Sequence, residues 1–141
     1  MWRELILEVA PIAELGAPAD EASLHAVAEV LGQPLPTDLA ALLRECDGLS
    51  YEGLDVVWSA RRIARDNAEF RNAPDFASLY MPFEPLMFFG DNASDQFAFV
   101  RTPARDEVFV WDHETDSRFM ATGNLRQYLE RALRERGDWY R

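Results

Sequence analysis

Residues 86–121 read LMFFGDNASDQFAFVRTPARDEVFVWDHETDSRFMA, and the spacing of this stretch decides the fold. Apolar runs at 86–89, 96–101, 107–112 and 118–121 alternate with polar turns, the first of them Gly90-Asp91-Asn92. Period-two alternation puts Phe97 and Phe99 on one face of their strand and Ala98 and Val100 on the other. Val108 and Val110 alternate with Phe109 and Trp111 in the same way. The pattern predicts an antiparallel meander rich in aromatics. A sheet of this kind is marginal alone in water, so helices from elsewhere in the chain must cover it.

Working outward, the segments on both sides carry helical spacing. Asn124 caps a closing helix with Gln127 at the capping-box position, and Leu125, Tyr128, Leu129, Ala132 and Leu133 form its apolar stripe. Before the meander, Ser59 caps a helix running through Arg71 with Ile63 and Phe70 inward and Arg61, Arg62 and Arg65 mostly outward. Asn67 lies on the inward side, where a semi-buried amide bonds a neighbouring backbone group more often than a ligand. Residues 54–58 read as a short strand, and 72–85, with three prolines, as an irregular link.

Toward the N-terminus, Leu39, Leu42, Leu43 and Cys46 lie on one face of a helix opened by Thr37 or Asp38, after the rigid connector Gln33-Pro34-Leu35-Pro36. Asp20 caps a further helix with Leu24, Val27, Ala28 and Leu31 on its buried stripe and Gly32 as its stop, while His25 falls off that stripe. Residues 2–15 look helical but carry Pro11, which ends or kinks the helix, so a short helix and a loose connection through Gly16-Ala17-Pro18 are expected. The expectation is therefore one α+β domain over residues 1–141: an antiparallel sheet of about five strands flanked by helices, with 1–19 as an N-terminal helical extension.

Charge narrows the function classes. The net charge is −11, and all 14 basic residues are arginines. Residues 1–60 hold two arginines against eleven acids (−9), 61–125 seven against eleven (−4), and 126–141 five against three (+2). Such a balance disfavours nucleic acid and anionic membranes and favours a basic protein partner. The competing reading is an acidic surface that merely maintains solubility. No apolar run is long enough to span a bilayer, Glu4 and Glu8 interrupt the only N-terminal apolar run, and one cysteine makes no internal disulfide; a cytoplasmic protein is expected. Cys46 sits between Glu45 and Asp47, which disfavour a thiolate nucleophile and fit a small buried residue instead.

Several of these segments together resemble the SUKH superfamily, which includes the Smi/Knr-type yeast cell-wall assembly regulators and many bacterial immunity proteins. The residues carrying the resemblance are Gly32 to Leu39, Leu42-Leu43 and Asp47-Gly48-Leu49; then Val57-Trp58-Ser59, Ile63 and Asn67; then Phe88 to Asn92 with Asp95 to Phe99; then Val108 to Glu114, and Leu125, Tyr128 and Leu129. They span residues 20–136. Ala93-Ser94-Asp95 stands where the family usually places a second glycine before the aspartate. The resemblance implies a protein-binding module with no catalytic constellation, cofactor or metal. In bacterial members it implies neutralisation of a cognate toxin, often a nuclease, whose gene commonly lies next door.

An acidic inhibitor suits a nuclease, whose phosphate-holding surface is cationic. The candidate partner-binding residues are the turn acids Asp47, Glu52, Asp55, Asp91, Asp95, Asp112, Glu114 and Asp116, pictured on one rim of the sheet, with Tyr51, Trp58 or Trp111 as aromatic anchors. Their bland alternatives are solvated turns for the acids and core packing for the tryptophans. The expected partner is a basic toxin protein, bound by a monomer or weak homodimer. A regulatory scaffold with an endogenous partner is the second reading. A hydrolase using Asp91, Asp95, Asp112 and His113 is the third; the run from Asp91 starts like a calcium loop but has Gln96 and Thr102 where the turning glycine and bidentate glutamate belong.

Overall fold

The computed structural model describes residues 1–72, 86–93, 96–101, 107–112 and 114–135. Among them, helices α1 (Trp2–Val9), α2 (Glu21–Leu31), α3 (Thr37–Glu45), α4 (Ala60–Asn72) and α5 (Leu125–Glu135) surround two antiparallel sheets. The smaller has the order β1 (Glu14–Leu15), β2 (Leu49–Tyr51), β3 (Leu54–Val57). The larger is a meander of β4 (Leu86–Asp91), β5 (Gln96–Arg101), β6 (Val108–Asp112) and β7 (Ser117–Thr122).

The α+β class expected from the sequence is what the chain forms, and the meander strands lie where the alternation put them. The strands divide into sheets of three and four, in place of about five in one. The difference comes from β1 and β2, two- and three-residue strands too short to display a period.

The meander is buried on both faces. Phe88, Phe99 and Phe109 lie in register, as do Phe97 and Trp111, and α4 adds Phe70, 5.2 Å from the Phe88 ring and 5.9 Å from that of Phe97. Edge-to-face pairs of this kind each contribute roughly 0.5–1.5 kcal/mol beyond the area they bury. On the opposite face α5 buries its predicted stripe, with Tyr128 5.1 Å from Phe89. Trp58 and Trp111 are 2% and 1% exposed, so these tryptophans are core residues and not surface anchors. A large apolar ring is worth more in a small core than at a wet rim.

The edge of β4 away from β5 is closed by side chains and one backbone amide. Asn67 Nδ2 donates to Phe88 O (2.8 Å) and Ile63 O (2.7 Å), while Asn67 Oδ1 accepts from Phe88 N (2.7 Å). Arg71 Nη2 donates to Leu86 O (2.8 Å), and Trp58 N donates to Phe89 O (2.6 Å). An amide on α4 thus stands in for a neighbouring strand and satisfies backbone groups that have no water to turn to.

The N-terminal helix is short, as expected, but the connection after it is not loose. Helix α1 stops at Val9, before Pro11, and the connection that follows is tied down: Gly16 N donates to Gly48 O, Asp47 N to Ala17 O and Ala19 N to Leu43 O. Trp2 and Ile6 pack into the core. Glu45 at the end of α3 accepts from the Trp2 and Arg3 backbone amides, which caps α1 from a distant element. Asp20, Ser59 and Asn124 cap their helices as their chemistry requires.

Candidate functional site

The outer face of the small sheet brings together four carboxylates, Glu14, Asp47, Glu52 and Asp55. Register aligns Glu14 with Ser50 and Ser50 with Asp55, a polar row running across all three strands. Local chemistry explains the row. Gly16 lets β1 close on the preceding loop, since a Cβ there would overlap the Asp47 carbonyl oxygen. The β2–β3 hairpin turns through Glu52 and Gly53 at φ 50° and 82°, the pair of left-handed residues that a tight two-residue hairpin needs.

Two adjoining cavities open on this face. One, of about 410 Å³, is lined by Glu14, Gly16, Asp47, Asp55, Trp58 and Arg62 among others; the second, of about 440 Å³, is lined by Ile12, Tyr51, Glu52 and Gly53 and shares Glu14, Ser50 and Asp55 with the first. Of the sequence candidates, Asp47, Tyr51, Glu52 and Asp55 come together here. Trp58 touches the first cavity as a buried wall.

Arg62 forms the floor. Its guanidinium lies 4.3 Å above the Trp58 ring and donates to Asp55 (2.8 Å), Asp66 (3.0 Å) and Asp91 (3.3 Å). Burial works against its charge, but the bonds to Asp66 and Asp55 and the attraction of Asp91 outweigh that and raise its pKa further. The side chain expected to point mostly outward is held half-buried, its charge already committed to three carboxylates.

The remaining candidates act inside the fold. Asp91, 8% exposed, accepts from Trp58 Nε1 (2.8 Å), Arg62 and Ala93 N (2.7 Å), binding the two sheets and α4 to each other. At the same end of the meander, Asp112 accepts from Gln96 Nε2 (3.1 Å) and Glu114 N (3.0 Å), and Asp116 accepts from Trp111 Nε1 (2.7 Å) and Arg118 (3.5 Å). Glu114 is exposed in that turn. The carboxylates Asp91, Asp112 and Asp116 share one end of the sheet as expected, yet they serve as hydrogen-bond acceptors for buried tryptophans and turn amides. Asp95 and His113 lie outside the described residues.

Of the four residues of the enzyme reading, Asp95 and His113 lie outside the described residues. Asp91 and Asp112 are occupied as above, and among the described residues no group of three or more His, Cys, Asp and Glu stands close enough to hold a metal. Cys46 is fully buried and its thiol is pushed up to about 11 by desolvation, with Arg3 partly opposing this. No helix among the described residues is long and apolar enough to cross a membrane.

Sequence reasoning missed Ile12, Glu14 and the role of Arg62. Ile12 and Glu14 follow the proline that ends or kinks the first helix, and nothing local marks a two-residue strand there. Arg62 with Asp66 at i+4 was the one readable clue.

A sequence model described as the SMI1 / KNR4 family (SUKH-1) matches residues 18–131, well over half the chain. The chain belongs to the SMI1 / KNR4 family (SUKH-1). A search of the curated proteins finds no match. SUKH-1 membership brings a family-level role, commonly that of an immunity protein or a regulator, in a family that is generally non-catalytic. In this SUKH-1 chain the acidic face combines Asp47, Glu52 and Asp55 of the matched region with Ile12 and Glu14 ahead of it.

Proposed function

We propose that this SUKH-1 protein is a non-enzymatic, cytoplasmic protein-binding module that neutralises a cognate toxin, a basic protein such as a polymorphic or contact-dependent nuclease, through an acidic surface. The observation that carries the reading is the concave face bearing Glu14, Asp47, Glu52 and Asp55, in the part of the chain where acids outnumber arginines eleven to two. A surface of that sign steers a cationic partner and competes for the groups with which a nuclease holds phosphate. Immunity needs no turnover, so carboxylates spent on internal bonds are no loss to it.

Family membership also supports a second reading, a regulator that binds an endogenous partner. Affinity capture of the tagged protein from its source cells, at low and high salt, separates the two. The immunity reading expects one basic polypeptide in near-equal amount, whose C-terminal domain kills cells unless this protein is co-expressed. Housekeeping or signalling partners would establish the regulator instead. Nothing retained at either salt would overturn both.

A further inference from the structure

We infer that the outer face of the β1–β2–β3 sheet is the docking surface, and that its occupant is a segment of a basic protein that lays an arginine or lysine side chain between Glu14, Asp47 and Asp55 and covers Ile12 and Tyr51 with an apolar residue. The inference rests on the protein-binding reading above and adds the place and the chemistry of recognition.

Three observations converge on this face. Leu49, Val56 and Val57 are buried in the core, whereas Glu14, Ser50 and Asp55 of the same sheet line both open cavities. Its charge is unbalanced: four carboxylates ring the cavities, and the one cation lining them, Arg62, is shared among Asp55, Asp66 and Asp91. Concave walls of one sign focus the field on what enters. Ile12, 73% exposed, and the half-buried Tyr51 border the second cavity, so the cationic slot has an apolar shoulder. Cationic head and apolar neighbour is the pairing that an interface anchor supplies. Asp47 and Asp55 also hold internal bonds, from Ala60 N and from Ser50 and Arg62, but they line an open cavity, whereas Asp91 at the end of the meander is only 8% exposed.

Charge reversal on the intact chain tests the surface. The ¹⁵N-labelled protein is titrated with an octa-arginine peptide and followed by amide shifts. The variant Glu14→Lys/Glu52→Lys is compared with Glu4→Lys/Glu8→Lys, four exposed positions of which the second pair lies on α1, so both variants carry the same net charge. Shifts are expected at Gly16, Gly48, Ser50 and Gly53. The first variant is expected to bind about tenfold more weakly, against less than about threefold for the second, since local charge outweighs the whole-molecule field at short range. Equal weakening by both variants, or shifts centred on β4–β7, would overturn the surface. Should Glu14→Lys disturb β1, the single variant Glu52→Lys gives the same comparison against Glu8→Lys. Shifts on this face with no partner captured from cells would remove the toxin reading and leave the surface standing; a captured partner held equally by every variant would do the reverse.

Discussion

Asn67 shows how much one side chain can determine. Its amide donates to two backbone carbonyls and accepts from one backbone amide, all buried. Asn67→Ala strands both polar groups of Phe88, since Ile63 O keeps its helical bond, at a cost of about 1–3 kcal/mol for each group left without a partner, so urea denaturation should show a loss of several kcal/mol. Asn67→Asp is nearly isosteric but exchanges the donor for a carboxylate facing two carbonyl oxygens, and it should recover none of that loss. A variant as stable as the parent would show that water replaces the amide.

Titration is also argued residue by residue. Burial raises the pKa of the Cys46 thiol to about 11, and that of Tyr128 rises well above its ordinary value through burial and then the nearby charge of Asp91. Both folded-state values exceed the unfolded ones: the Cys46 contribution is complete below about pH 9 and falls away as pH climbs through about 11, while that of Tyr128 is complete below about pH 10 and is lost as pH rises further. Glu45 has the opposite sign. Burial opposes its charge, but bonds from Arg3 N, the amino group of Met1 and Trp2 N prevail and lower its pKa from the ordinary 4.5, so its contribution is present above that pH and is lost on acidification through the lowered value. Thermal unfolding between pH 3 and 11 should show a plateau with losses at both ends. Stability still rising from pH 9 to 11 would contradict the assignment of Cys46 and Tyr128.

Among elements, the decisive join is between β3 and β4. The Tyr128 hydroxyl donates to Val56 O (2.6 Å), and Gly90 lies beneath this bond; a Cβ at 90 would overlap Val56 O and stand 2.8 Å from the Tyr128 oxygen. Gly90→Ala must therefore part the two sheets or eject Tyr128, and a loss of about 2–4 kcal/mol is expected, with near-ultraviolet circular dichroism reporting the displaced tyrosine. Tyr128→Phe removes the bond but keeps the packing, so it should cost less, roughly 1–2 kcal/mol. If the order were reversed, the hydroxyl and not the close approach would be holding the sheets.

For the whole molecule, charge is distributed by element. The helix α5 carries Arg126, Arg131 and Arg134, paired with Glu130 and Glu135 at i+4 spacing, while the first 60 residues hold most of the excess acid. Exposed pairs of that kind contribute little, but a net charge of −11 repels itself. Raising salt from about 0.1 M to about 1 M shortens the screening length from about 10 Å to about 3 Å. The melting temperature should then rise by a few degrees while affinity for a basic partner falls. A fall in both would mean that internal ion pairs, Arg62 with its three carboxylates foremost, matter more to stability than global repulsion does.

The sequence by itself determined the four meander strands, the helices α2 to α5, their buried stripes and the caps of α2, α4 and α5, because each is written in a local period or a short-range bond: alternation in Phe97 to Val100, the i, i+3, i+4 spacing of Leu125 to Leu133, and the reach of Asp20, Ser59 or Asn124 to an amide within the next turn. It also determined that the surface is acidic. Only the tertiary structure decided which acids line the outer face of the small sheet. Glu14, Ser50 and Asp55 become neighbours through strand pairing across 36 and five residues, and a two-residue strand has no period to announce it. Asp91 and Asp116 read as equal to Glu52 in sequence, yet the first two meet the indole N–H groups of Trp58 and Trp111, which need acceptors once buried. Burial of those tryptophans is a property of the assembled core, so the division of the carboxylates between inner bonds and outer face appears only when the chain is folded.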